Sequence, residues 1–232
     1  MNAAVILAGG TGSRLSSFVP KQYLRVGGSM VVTRTLRVFL DLTEIDTVRI
    51  VADTTWRQAI LAELSKRDIP KLSGFSEPGS TRQLSIWNAL RDLRTLLCAE
   101  DIVILHDAVR PLVKKGIILD CLDACRNHDG AMPVLPMKDT VYLSTNGKTV
   151  SSLLDRNTVY AGQAPEAYRF GKYLSANEAL LPEQILHVNG STEAAILSGI
   201  EVALLPGDES NFKITTQSDL AMLQRILEEE HS

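Results

Sequence analysis

The chain has 232 residues, enough for one domain with a self-sufficient core, and its 45% apolar and 22% charged content suits a water-soluble protein. A formal net charge of −3 argues against broad attraction to nucleic acid or acidic membrane, so phosphate binding would need a local cluster of cations. Three cysteines, no basic and apolar leader and no run of membrane-spanning length give the expectation of a reducing cytoplasm.

Residues 3–7, "AAVIL", read as a short buried strand, and "LAGGTGSRLSSFVPKQYL" carries the chain on to Leu24. Helical periodicity resumes only near Val31, which predicts a long loop, and such loops in small domains are usually functional or disordered. Further along, "TVRIVAD", "DIVILHD" and "GAMPVLP" are apolar strand patterns. They alternate with the helical patterns "VVTRTLRVFLDL", "TWRQAILAELSKRD", "TRQLSIWNALRDLRTLL" and "KKGIILDCLDACRNH". In the last of these Ile117, Cys121 and Cys125 share one face. Strands apolar throughout suit a parallel sheet covered on both sides, so the order predicts a doubly wound, mostly parallel α/β fold. Ligands of such folds bind outside the carboxyl ends of the strands, where both the glycine-rich segment and "HDAVRP" begin.

From Lys138 the pattern changes. Short β-prone pieces around Asn146-Gly147 predict a hairpin, and residues 138–163 read as a projecting β-arm. Helical patterns return at "AYRFGKYLSANEALL" and "TEAAILSGI", then strands at "EVALLPG" and "NFKITT". A last helix is expected over 216–229, with Ser218 and Asp219 suiting its N-terminus. With no repeat and no linker, residues 1–232 read as a single domain with an arm.

The glycine-rich segment is neither a Walker A loop nor a dinucleotide fingerprint, because Leu15 stands where the third glycine would be. It offers backbone N–H groups that can approach anionic oxygens closely, with the cations of Arg14 and Lys21 beside them and Pro20 stiffening the chain. Those parts suit a triphosphate. A glycine-rich turn with two solvated cations is the bland alternative.

"LAGGTGSR" followed by "PKQYL" resembles the nucleotidyltransferase loop of the polyol-phosphate cytidylyltransferases. That family includes the 2-C-methyl-D-erythritol 4-phosphate and the ribitol 5-phosphate cytidylyltransferases. "PGSTRQLSIWNAL", "HDAVRP", "KDTV", "LDRNTVYAGQAPEAYRF" and "NFKITTQSDLAM" resemble its later motifs, in order, over nearly the whole chain. The resemblance implies attack of an acceptor phosphate oxygen on the α-phosphorus of CTP, with pyrophosphate leaving. Arg14, Lys21 and Lys213 match its positions for stabilising the charge that develops. It implies nucleotide contacts from Ala8, Gly9, Gly10, Thr11, Gly12, Gly79, Ser80, Ser85 and Ala108. Acceptor contacts would come from Asp107, Thr140 and Arg156. Magnesium would bridge the phosphates, with Asp107 as its protein ligand. The arm would cross to a second subunit, making a homodimer.

Three departures stand out. Ala164-Pro165-Glu166 replaces the family's usual Thr-Pro-Gln, removing a hydroxyl and adding a carboxylate on the acceptor side, and Gly190 falls where an aspartate is usual unless Glu193 takes its place. Those changes keep open a nucleotide-binding regulatory relative with little turnover. A sugar-1-phosphate nucleotidyltransferase would share the glycine-rich loop but not the combination of Pro-Lys-Gln-Tyr with "HDAVRP". Cys121, Cys125 and His128 could be drawn as a metal site, but two cysteines on one apolar helix face read as core. His106 reads as structural, since this reaction needs no strong base, and Trp56 and Trp87 as packing residues.

Overall fold

The computed structural model describes residues 1–10, 19–64 and 68–229. β1 (Asn2–Leu7) is followed by a 3-10 turn at Lys21–Tyr23 and by a small hairpin of β2 (Arg25–Val26) and β3 (Ser29–Met30). Then come α1 (Val31–Leu40), β4 (Thr47–Val51), α2 (Thr54–Glu63), β5 (Leu72–Ser76), α3 (Arg82–Leu93), β6 (Ile102–Asp107), α4 (Lys115–Ala124) and β7 (Gly130–Pro136). The arm carries β8 (Val141–Leu143) and β9 (Ser152–Leu154). The chain then returns through β10 (Tyr160–Gly162), β11 (Glu166–Arg169), α5 (Phe170–Glu178), α6 (Ser191–Leu197), β12 (Val202–Pro206) and α7 (Gln217–Glu229).

The main sheet runs β10-β7-β11-β6-β1-β4-β5, with β12 on β7. Its centre, β6-β1-β4-β5, is parallel, while β11 lies antiparallel between β6 and β7. Alternation along the strands builds a core on each face. Ala4 and Ile6 of β1 and Ile104 of β6 pack with Leu36 of α1, Ile60 of α2 and Cys121 of α4. Ala3, Val5, Val103 and Leu105 pack with Leu90 of α3, Tyr173 of α5 and Ala194 of α6. Both faces are therefore apolar, which is why these strands read as continuous apolar runs.

Local readings needed correction where tertiary pairing prevailed. Residues 167–169 form a strand rather than the start of a helix, because Tyr168 and its neighbours pair with β6 and β7 and Tyr168 is wholly buried. "NFKITT" is not a strand; it is an extended segment fixed by the Ile214 N–H on the Val109 carbonyl and by Arg110 on the Asn211 carbonyl. The loop before Val31 contains the Lys21–Tyr23 turn and the β2–β3 hairpin. β5, "LSGFS", carries a glycine at positive φ and no apolar run, so periodicity passes over it. In the arm, Gly147 has φ 68°, and the Asn146 side chain accepts from the Lys148 and Thr149 N–H groups across a wide loop between β8 and β9.

Candidate functional site

A cleft of about 380 Å³ opens at the carboxyl ends of β1, β5 and β6, lined by Gly9, Gly10, Lys21, Gly79, Ser80, Ser85, Asp107 and Lys213 among others. From β1 the chain runs outward to β4 and β5 on one side while β6 lies on the other, and ligands of such folds bind where the strand order switches.

Two backbone shoulders form its walls, and each is pinned from below. At the first, the Gln22 side-chain amide donates to the Ala8 carbonyl (2.7 Å) and to the Gly10 carbonyl (2.6 Å), while the Tyr23 hydroxyl donates to Ala8 (2.8 Å). The Tyr23 ring stacks on Trp56 at 4.3 Å, and its burial pushes the phenol pKa up to about 12. At the second shoulder Thr81 caps α3 by accepting from the Leu84 N–H. The Ser85 hydroxyl accepts from the Gly79 N–H (2.9 Å) and donates to the Thr81 carbonyl (2.9 Å). A Cβ on Gly79 would fall 2.4 Å from Leu84 Cβ, and one on Gly9 2.7 Å from Pro78 Cβ, so glycine is needed for the walls to close this far.

The floor is a charge cluster around Asp107, the last residue of β6. Its Oδ1 accepts from Arg82 (3.1 Å), and its Oδ2 faces Lys213 at 2.9 Å and Arg110 at 3.7 Å. Burial by itself would raise the Asp107 pKa, but the field of Arg82 and then Lys213 overrides it and holds the carboxyl far below the usual range. Lys213 reaches this point because the Asn211–Ile214 segment is hung from Val109 and Arg110. Behind the floor Arg82 also donates to the Ser191 hydroxyl (2.6 Å) and lies 3.7 Å from Glu166 Oε1, while Glu166 Oε2 accepts from Tyr168 (2.9 Å) and Thr192 (3.1 Å). Next to Asp107, His106 is buried with Nε2 on the Arg110 carbonyl; burial first of all lowers its pKa to about 4, so it is neutral and serves the fold.

The sequence-derived candidates separate into three groups. Gly9, Gly10, Lys21, Gly79, Ser80, Ser85, Asp107 and Lys213 come together at the cleft. Ala8 and Ala108 are buried beneath it, with the Ala8 carbonyl taken by Gln22 and Tyr23 and the Ala108 carbonyl by Thr35. Thr140 and Arg156 line a separate hollow in the arm, where Arg156 donates to the Lys138 carbonyl. Thr11, Gly12 and Arg14 lie outside the described residues. Of the departures, Ala164 is buried with its carbonyl on Asn211, Glu166 faces Arg82, and Gly190 is the N-cap of α6. Cys121 and Cys125 are core residues whose thiols are pushed up by burial, Cys125 to about 11.

Arg82 and Gln22 were not singled out by sequence reasoning, and Glu166 only as a departure from the family pattern. A signal existed for Arg82: a cation in the first turn of α3 opposes the helix dipole and calls for a carboxylate nearby. Among the described residues no three His, Cys, Asp or Glu side chains gather into a cation site. The cleft lining described here offers one carboxylate, Asp107, which fits a magnesium ion held mainly by substrate phosphates and water.

Comparison with known proteins agrees with this geometry. Residues 2–229 match the family described as 2-C-methyl-D-erythritol 4-phosphate cytidylyltransferase (IspD). The chain is 29% identical over 231 residues to a ribitol-5-phosphate cytidylyltransferase of Lacticaseibacillus paracasei, covering 99% of each chain. It is 31% identical over 226 residues to a 2-C-methyl-D-erythritol 4-phosphate cytidylyltransferase of Geobacillus kaustophilus, covering 97% of this chain and 96% of that one. The crystal structure of 4-diphosphocytidyl-2C-methyl-D-erythritol synthase from Anaerococcus prevotii superposes with a TM-score of 0.80 at 25% identity, covering 98% of both chains. A Lys21-bearing glycine shoulder, a buried Asp107 and a match from end to end place this chain in the IspD cytidylyltransferase family.

Proposed function

We propose that this chain transfers the cytidylyl group of CTP to a polyol phosphate and releases pyrophosphate, working as a homodimer of single nucleotidyltransferase domains, residues 1–232, in the cytoplasm. The observation that carries the reading is a cleft with glycine backbone on its walls and Lys21 and Lys213 in its lining, in a chain of this family.

An oxygen of the acceptor phosphate attacks the α-phosphorus in line, a new P–O bond forms, and the bond to the β-phosphate oxygen breaks as pyrophosphate departs. Lys21, Lys213 and Arg14 hold the charge that builds on the α-phosphate. Gly9, Gly10, Gly79 and Ser80 present backbone to the cytosine and ribose. Ser85 acts by holding the Gly79–Thr81 turn, since its hydroxyl is already bonded on both sides. Asp107 takes an acceptor hydroxyl. Magnesium, when bound, would be held mainly by the substrate phosphates, with Asp107 as the nearby carboxylate in place of the acceptor hydroxyl, and would supply charge neutralisation.

The acceptor phosphate meets Thr140 and Arg156 of the other subunit. Two features support this: those residues stand apart from the cleft of their own chain, and the arm exposes Tyr142, Leu143, Val150 and Leu153 with no core of its own. The free thiols agree with a reducing compartment, and no described helix is long and apolar enough to cross a membrane.

The relatives' names give two acceptor candidates, 2-C-methyl-D-erythritol 4-phosphate and ribitol 5-phosphate. Pyrophosphate release with each of the four nucleoside triphosphates against both acceptors tests the reading. CTP should be preferred, one acceptor should be used, and EDTA should abolish turnover. Equal use of ATP, or full activity after chelation, would refute it.

A further inference from the structure

Gln22 and Tyr23 are buried at the first shoulder, where Gln22 also borders the cleft, and neither has a place in the chemistry above. Gln22 uses both hydrogens of one amide nitrogen on the carbonyls of alternate residues, Ala8 and Gly10. The Ala8–Gly9 peptide is trans, and in a planar trans peptide the carbonyl and the following N–H point to opposite sides. Holding the Ala8 oxygen down therefore aims the Gly9 N–H the other way, towards the cleft that Gly9 lines. Gln22 also sits in the same 3-10 turn as Lys21, a turn braced by the stack of Tyr23 on Trp56 of α2. The side chain thus ties the strand-end backbone to the residue next to the cation.

We propose that Gln22 is a positioning residue for the nucleotide. It aims the Gly9 N–H and fixes the spacing between that backbone and Lys21, and so it sets the affinity for CTP through the backbone, both amide hydrogens being already spent there. The inference rests on the cytidylyl-transfer reading. Its chemistry is specific, because a side-chain amide of this length offers two hydrogens to two carbonyls without burying a charge. A glutamate would bring an anion against both oxygens, and a methionine fills the space with no donor.

The test is calorimetric titration of CTP into wild type, Gln22→Met and Gln22→Glu, with steady-state kinetics in both substrates. Stripping the Gly10 carbonyl of its Gln22 donor and leaving Ala8 with Tyr23 alone should weaken CTP binding about 10-fold or more in Gln22→Met, and further in Gln22→Glu. KM for the acceptor should stay within about twofold. Tyr23→Phe, which keeps the stack and leaves the Ala8 oxygen its bond to Gln22, should fall between wild type and Gln22→Met. If Gln22→Met does not fold, Gln22→Asn replaces it, since a side chain one methylene shorter reaches only one of the carbonyls. Unchanged CTP affinity in a folded variant, or KM rising equally for both substrates alongside a lower Tm, overturns the proposal. Wild type that binds CTP but turns over neither acceptor would instead sink the reaction reading, while the ratio of CTP affinities still decides the role of Gln22.

Discussion

Lys21 sits at the mouth of the cleft, on a turn anchored through Gln22 and Tyr23, so its ammonium can be removed without disturbing the core. On the mechanism above, Lys21→Ala should lower kcat by about 100-fold or more with an unaltered melting curve, because a cation that acts on the transition state is lost. Near wild-type turnover in the folded variant would remove Lys21 from the catalytic set. His106 supplies a second expectation. Its pKa of about 4 in the folded chain lies below the 6.5 of a free imidazole, chiefly through burial. Stability from keeping it neutral is complete above pH 6.5 and is lost as pH falls towards 4, because the unfolded chain takes up a proton that the folded one refuses. The full loss is about 3 kcal/mol, of which about 2 falls between pH 7 and pH 5. Urea unfolding in EDTA at those two pH values should show this loss for wild type and not for His106→Gln. Equal pH slopes would mean that His106 titrates normally.

At the scale of elements, the cleft depends on how closely α3 and the strand ends approach. Gly79 is the tightest point, since a methyl group there would meet the Leu84 and Ser85 backbone at 2.7 and 2.8 Å. Backbone cannot give way as a flexible side chain can, so Gly79→Ala should cost about 1–3 kcal/mol and shift the Gly79–Thr81 turn. Tm and CTP affinity should fall together. Ser85→Ala removes only the clasp, leaving space unchanged, so its Tm should fall less while CTP binding still weakens; calorimetry on both variants separates crowding from loss of aim. The arm is the contrasting element. β8 and β9 are three residues each and pair only with one another, a length that gives marginal stability alone. Its exposed tyrosine, leucine and valine side chains need a surface to cover them.

For the whole molecule, the expectation is that the surface belongs to a second copy. Arg156→Ala and Lys21→Ala homodimers should each be nearly inactive on this reading. After subunit exchange, one of the two sites in each mixed dimer carries both intact residues, so about half of the sites in those dimers should work. Sedimentation measures the dimer independently. A monomer, or proven exchange with no recovery, would return the arm to its own chain.

β1, β4 and β6 of the parallel centre, though not β5, and the helices beside them were legible in the sequence, because strands buried on both faces must be apolar throughout and helices covering them must carry one apolar stripe. "GAMPVLP" became β7 residue for residue, and Ile117, Cys121 and Cys125 turned inward as their spacing required. Gly9, Gly10, Gly79 and Lys21, expected together at a ligand site, do line one cleft. Local pattern could not show that Tyr168, within an apparently helical run, would be drawn into the sheet between β6 and β7, or that "NFKITT" would be held by two carbonyls instead of a strand partner. Nor could it show three cations meeting at Asp107, Glu166 facing Arg82, or Gln22 reaching back to Ala8 and Gly10. Apolar periodicity is written along the chain, so the sequence by itself determined the layers; apart from Arg110, three residues from Asp107, these polar partners stand 12 or more residues apart and are joined only by folding, so tertiary structure decided the inner wiring of the site.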